Sequence, residues 1–239
     1  MSNIVITGST NGIGLNLALS YIKDGHNLVL ISKNESKLNE LKTKYDNVTI
    51  IPYDLTLNLD DLFQKLDELN IKFDLLINNA GFGNVSEFIN TDIKKENKLI
   101  DLNVLALTKL TYYFLNKENC KIVNISSIAS IYPGYNMSTY YASKAYVTSF
   151  TRALEKENKN RLKVINLPKI NTNFDSVAGK RKRASLGKDV SYAVKKIKGA
   201  IRKKKVVYNI GFSTKMTSLL SKMTHRSMLI NISKYTNEA

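Results

Sequence analysis

The chain has 239 residues and a mass of 27.0 kDa, with 43% hydrophobic and 23% charged residues, enough for one sizeable core and too short for two comfortable domains. Three prolines and 11 glycines exclude a collagen-like or disordered chain, and no apolar run reaches the roughly 18 residues that would span a bilayer. The formal charge of +16 is lopsided: residues 1–151 hold 14 Lys/Arg against 15 Asp/Glu, whereas residues 152–239 hold 22 against 5. The densest block, Lys180 to Lys205, has 12 basic residues and only Asp189 to oppose them. Such a surplus implies an anionic partner (nucleic acid, an anionic membrane surface or an acidic carrier protein) or else a lysine-rich background composition. The apolar run Ile4-Val5-Ile6 lacks a basic segment ahead of it, and Cys120 is the single cysteine, so a cytoplasmic protein without disulfides is expected, with peripheral membrane contact left open.

Short runs rich in Val, Ile and Leu predict strands at Asn3–Thr7, Asn27–Ser32, Val48–Ile51, Phe73–Asn78, Lys121–Ser126, Leu162–Leu167 and Val206–Ile210. Helical periodicity lies between them, at Ile13–Lys23, Glu35–Lys44, Leu59–Leu69, a long stretch within Asp92–Asn116, Thr139–Glu157 and Asp189–Arg202. Regular strand–helix alternation implies an α/β fold: a doubly wound parallel sheet of about seven strands with helices on both faces. Residues 1–212 read as that single domain, and 213–239 as a basic amphipathic extension carrying Met216, Leu219, Leu220 and Met223 at helical spacing.

The first strand runs into Thr7-Gly8-Ser9-Thr10-Asn11-Gly12-Ile13-Gly14 and then a helix. Glycines at 8, 12 and 14 permit a tight turn and let backbone amides approach a pyrophosphate, with the positive helix end behind it. Gly8, Ser9, Asn11, Gly12, Ile13 and Gly14 are the resulting dinucleotide-binding candidates. The second strand ends at Ser32-Lys33 without a carboxylate to take a ribose hydroxyl, so Lys33 points to NADPH over NADH, unless it only caps a surface turn. Asn78-Asn79-Ala80-Gly81 follows the fourth strand and Ser126-Ser127 ends the fifth; in Tyr140-Tyr141-Ala142-Ser143-Lys144, Tyr140 and Lys144 share a helix face.

These segments resemble the classical short-chain dehydrogenase/reductases. The glycine turn, Asp54, Asn-Asn-Ala-Gly, Asn103, Ser127 and Tyr-x-Ala-Ser-Lys stand in that family's order and spacing over roughly residues 3 to 172. The resemblance implies a catalytic tetrad of Asn103, Ser127, Tyr140 and Lys144. It places Asp54 and Asn79 on the adenosine side, gives Ala80, Gly81, Tyr140 and Lys144 cofactor contacts, and sets Thr172 against the nicotinamide carboxamide. It also implies a mobile substrate lid near residues 173–188 and a homodimer or homotetramer.

Under that resemblance Tyr140 is the general acid and Ser127 holds the substrate oxygen, while Asn103 keeps a relay water in place through its helix backbone. A phenol has a pKa near 10, and a lysine cation about 4 Å away at an effective dielectric of 20 contributes up to about 4 kcal/mol, or about three pKa units. The sequence departs from the family at Pro168, which stands where glycine is usual and makes the Thr172 loop stiffer.

Tyr141 and Ser126 read as packing or turn residues, Asp101 as a helix-surface charge and Cys120 as an inert buried thiol. His26 and His225 are too isolated for a metal site. The expected activity is NADPH-dependent reduction of a small-molecule carbonyl compound, lipophilic in character, to a secondary alcohol, or the reverse. The alternatives are a 3-oxoacyl reductase acting on an acidic carrier protein, and a non-catalytic dinucleotide sensor that binds nucleic acid. No specific nucleic-acid module is present in the sequence to support the last.

Overall fold

The computed structural model describes residues 1–179 and 187–223. Seven parallel strands form one sheet in the order β3-β2-β1-β4-β5-β6-β7. They are β1 (Asn3–Thr7), β2 (Asn27–Ser32), β3 (Val48–Pro52), β4 (Leu75–Asn78), β5 (Lys121–Ser127), β6 (Leu162–Leu167) and β7 (Val207–Asn209). The helices are α1 (Gly12–Lys23), α2 (Glu35–Lys44), α3 (Asp60–Glu68), α4 (Ile93–Ile100), α5 (Leu107–Leu115), α6 (Ser138–Glu157), the short α7 (Phe174–Val177), α8 (Val190–Ile201) and α9 (Phe212–Met223). The α/β class expected from the alternation is the observed one, with strand ends differing by one or two residues.

Alternate side chains of the central strands enter opposite layers, as the pleat requires. Ile4, Ile6, Leu28, Leu30, Ile77 and Ile125 pack against α1, α2 and α8, whereas Val5, Val29, Ile31, Leu76 and Ile122 pack against α3 and α5. The order reverses at β1, which lies between β2 and β4. The loops after β1 and β4 therefore diverge and open a crevice at the carboxyl edge of the sheet. Asn78–Gly81 and Ser126–Ser127 also reach this edge, because β4 and β5 pair in register from Leu75–Lys121 to Asn78–Asn124.

The stretch expected as one helix within Asp92–Asn116 is divided. Its middle, Asp101–Ala106, is a π-helical turn between α4 and α5, and Asn103 lies inside it. Among the described residues, no helix is long and apolar enough to cross a membrane, and no group of three or more His, Cys, Asp or Glu has metal-binding spacing. Of the expected features, Lys180–Arg183 and His225 fall outside the described residues.

The far end of α5 is closed by Arg161, just before β6. Its guanidinium donates to the carbonyls of Phe114 (3.1 Å), Leu115 (2.8 Å), Lys117 (2.8 Å) and Cys120 (3.1 Å). Cys120 beside it is fully buried, and burial pushes its thiol pKa up to about 12. We expect Arg161→Met to lower stability by about 3 kcal/mol in denaturant unfolding, because several partly buried carbonyls lose their donor together, with Arg161→Lys restoring only part of it.

Candidate active site

The turn after β1 is built around missing side chains. Gly8 and Gly12 have φ of +65° and +51°, the left-handed region that suits glycine. A Cβ on Gly8 would lie 2.9 Å from the Ala80 Cα, and one on Gly14 would collide with the Gly8 carbonyl. Asn79 holds the turn from the other side: its amide group donates to the carbonyls of Thr7 (3.1 Å) and Gly8 (3.3 Å). The backbone amides of Asn79 and Ala80 both donate to the Thr7 hydroxyl, at 3.0 Å each. Ser9 is buried, with its hydroxyl directed at the Ile31 carbonyl, and Ile13 packs against the α1 side of the core. Thr172 closes the turn, its methyl group 3.3 Å from the Cβ position of Gly12.

At the N-terminus of α1, Asn11 makes no side-chain cap and the first turn holds no acid. The side-chain oxygen of Asn11 instead accepts from Lys37 of α2 at 3.0 Å. An uncapped helix start facing a glycine turn, with an ammonium beside it, suits a phosphate-bearing ligand. Lys33 is exposed at the end of β2, and its charge reaches Asp54 after β3. Burial raises the Asp54 carboxyl, but hydrogen bonds from the Thr56 amide and hydroxyl, with Lys33 and Lys98 nearby, hold it below the usual carboxylate range. These residues fit the dinucleotide that the sequence implied.

The second half of the site converges on Gly81. A Cβ there would lie 2.9 Å from the Asn103 side-chain oxygen and 3.4 Å from the Lys144 ammonium. Asn103 is buried, and its carboxamide pairs with the Phe82 backbone, accepting from N–H at 3.1 Å and donating to C=O at 2.9 Å. It also donates to the Ser143 hydroxyl (3.1 Å), which donates to the Tyr140 carbonyl (2.7 Å). Ser127, at the end of β5, hydrogen-bonds the Tyr140 phenol and accepts from the Ala129 amide at 3.2 Å. Phe82, Val85, Tyr132, Met137 and Phe174 surround Tyr140 with apolar surface, the Phe174 ring 5.2 Å from that of Tyr140.

The electrostatics differ from the sequence expectation in one respect. Tyr140 is not drawn down by Lys144. Burial holds the phenol above its ordinary range, only partly offset by the Ser127 hydrogen bond. Lys144 points its ammonium at the Ile125 carbonyl (3.2 Å), and lies 5.8 Å from the Tyr140 ring centre. Burial lowers Lys144 from 10.5 to about 8.

Sequence reading missed Lys37 and Ser143. Lys37 gave no local signal, since Asn11 lies 26 residues away. Ser143 had one, standing three residues after Tyr140 on the same helix face. Pro168, noted as a departure, packs against Gly211 after β7.

The depressed Lys144 has a stability consequence. Its folded pKa lies below the unfolded value of 10.5, so the unfolded chain binds the proton more tightly. The burial cost is complete below pH 8 and fades as pH rises from 8 to 10.5. Lys144→Met should therefore raise stability near pH 7 by on the order of 2 kcal/mol, with a smaller gain at higher pH, as urea unfolding at both ends of that window would read.

A family model for short chain dehydrogenases matches residues 2–182. An 11-beta-hydroxysteroid dehydrogenase-like protein of Arabidopsis thaliana is 34% identical over 67% of this chain and 56% of its own. A very-long-chain 3-oxoacyl-CoA reductase of Rattus norvegicus is 33% identical over 66% and 54%. The chain thus spans about half the length of these two relatives, and 70% of an uncharacterized oxidoreductase of Staphylococcus epidermidis that is 28% identical over 64% of this chain. In fold it matches a short-chain dehydrogenase from Sphingobium yanoikuyae in complex with NADPH, with a TM-score of 0.83 at 24% identity, covering 93% of this chain and 94% of the other. With the doubly wound sheet and the glycine turn, the family match over three quarters of its length makes this chain a member of the short chain dehydrogenases, an NAD(P)-dependent oxidoreductase.

Proposed function

We propose that the protein is an NADPH-dependent reductase that converts a lipophilic carbonyl compound to a secondary alcohol, with Asn103, Ser127, Tyr140 and Lys144 as its catalytic group. The observation that carries this reading is the convergence on one crevice of a Ser127–Tyr140 hydroxyl pair, the Asn103 carboxamide and the Lys144 ammonium. A bound reduced nicotinamide supplies the hydride. Ser127 donates a hydrogen bond to the substrate oxygen, and Tyr140 transfers its phenol proton to the alkoxide that develops there. Burial keeps the phenol protonated at neutral pH, so Tyr140 has the proton that the reductive direction requires. Once the proton has left, the Lys144 cation stabilises the phenolate across the low-dielectric site. Gly8, Gly12, Gly14, Asn79, Ala80 and Thr172 would hold the dinucleotide.

Two lysines support NADPH as the partner. Lys33 follows β2 and Lys37 spans to Asn11, which surrounds the adenosine end of the crevice with cations, and Asp54 is held charged by its own Thr56 contacts. The apolar surroundings of Tyr140 support a lipophilic substrate. A 3-oxoacyl thioester is the second reading, favoured by the resemblance to a very-long-chain 3-oxoacyl-CoA reductase. Exposed Leu105, Tyr112 and Tyr146 along the π turn, α5 and α6 suit a second copy of the chain, as in a homodimer or homotetramer.

A panel of steroid, acyl-thioester and lipid ketones, followed by NADPH absorbance, tests the activity. Tyr140→Phe should lower kcat by at least about 10³-fold while NADPH binding persists, since the ring stays packed and only the proton donor is lost. Turnover close to the parent protein would refute the assignment. Lys33→Glu combined with Lys37→Glu should reverse the preference between NADPH and NADH, read as the ratio of Kd values at fixed ionic strength. Equal parent affinities for the two cofactors would count against NADPH.

A further inference from the structure

Helix α9 is built inside out. Thr214 is fully buried, and Met216, Thr217, Ser218 and Ser221 are partly buried, so the strip facing the protein is made mostly of hydroxyls, with Met216 at its edge. Phe212 and Leu219, on the opposite strip, are 80% and 53% exposed, with exposed Lys215 between them. At 100° per residue, Phe212, Lys215 and Leu219 fall within about 60° of one another, and Thr214 and Ser221 lie across the helix from them. An ordinary surface helix has the reverse arrangement. The inward face is also poorly matched to its surroundings, because the Thr214 hydroxyl is buried without a hydrogen-bond partner. Packing among the described residues therefore does not account for the pattern of α9.

The helix lies at the functional edge of the molecule. Gly211, just before it, approaches Pro168 at the root of the Thr172 loop. That loop pairs with the segment just before α8: the Lys188 amide donates to the Lys169 carbonyl and the Asn171 amide to the Lys188 carbonyl, both at 2.9 Å. Lys188 is exposed here, and the Lys169 side chain is half exposed even while it pairs with Asp175 at 3.0 Å. Residues 187–223 hold ten Lys/Arg against Asp189 alone.

We infer that the α9 face carrying Phe212, Lys215 and Leu219, together with exposed Lys188 on the segment bridged to the Thr172 loop, is a docking surface for an anionic membrane and seats the crevice mouth against the bilayer. A membrane surface supplies both chemistries this face presents: anionic headgroups for the lysines and, just beneath them, apolar depth for Phe212 and Leu219. A second copy of the chain would bring the same cations against each other. The surface stands without the reductase reading; its use, delivering a lipophilic ketone from the bilayer to Tyr140, rests on that reading.

The test is flotation of the full chain with vesicles of phosphatidylcholine, with and without phosphatidylglycerol, at low and high salt, alongside NADPH turnover of a small soluble ketone. Binding to the anionic vesicles only, released by salt, is expected. Lys188→Gln with Lys215→Gln should weaken it by about 30-fold, and Phe212→Ser with Leu219→Ser by a similar factor, without change in turnover of the soluble ketone. No flotation at low salt overturns the inference, as do equal binding to neutral vesicles and indifference to both double variants. Capture of a purified acidic carrier protein without vesicle binding, or loss of an oligomer in the serine variant, overturns it in favour of those occupants. Absence of turnover on every ketone, with flotation intact, refutes the reductase reading alone.

Discussion

One side chain joins the parts of this site, the carboxamide of Asn103. It satisfies both backbone groups of Phe82 and reaches Ser143, which in turn caps the Tyr140 carbonyl. Three segments far apart in sequence, the loop after β4, the π turn and the start of α6, are thereby fixed to one another. Each partner is buried or nearly so, and a change at any of them would leave polar atoms without partners in a low-dielectric interior. Gly81 completes the arrangement passively, since any side chain there would push Asn103 from Lys144.

A second polar system, running through the sheet, holds Lys144. The Ser126 hydroxyl donates to the Lys144 carbonyl (3.1 Å) and lies 3.2 Å from that of Thr148, which donates to Asn166 of β6 at 3.1 Å. Asn166 continues to Asn209 of β7 at 2.8 Å. A parallel pair, Asn78 to Asn124 (2.9 Å) and Asn124 to Thr151 (2.9 Å), links β4 and β5 to α6. Lys144 is thus held to β5 at both ends, its backbone by Ser126 and its ammonium by the Ile125 carbonyl. Ser126, which reads in the sequence as a turn residue, has this positioning contact as well.

The strand runs, the glycine turn and the Tyr140–Lys144 spacing were legible because each is a local pattern: hydrophobic period, left-handed backbone, or one helix face. The π turn was not, since the partner of Asn103 within it, Phe82, lies 21 residues away. Lys37 was missed for the same reason, whereas Lys33 could be found because it follows the strand end directly. The upward shift at Tyr140 was not legible because burial, its largest cause, is a property of the assembled fold. Likewise, the stripe of Met216, Leu219, Leu220 and Met223 is visible in the sequence, but not that Leu219 and Leu220 are exposed while Met216 is partly buried.

The π turn also constrains how this chain can change length. A π turn is an α-helix carrying one extra residue in a turn, and it shifts the angular register of all that follows. Deleting one residue between Asp101 and Ala106 would allow a regular helix, yet would turn the elements on either side by about 100° relative to each other. Either Asn103 would leave Phe82, or α5 would withdraw Leu110 and Phe114 from the core. Shortening here is therefore incompatible with keeping both the Asn103–Phe82 pairing and the core. This turn is a position where residue count itself is under constraint.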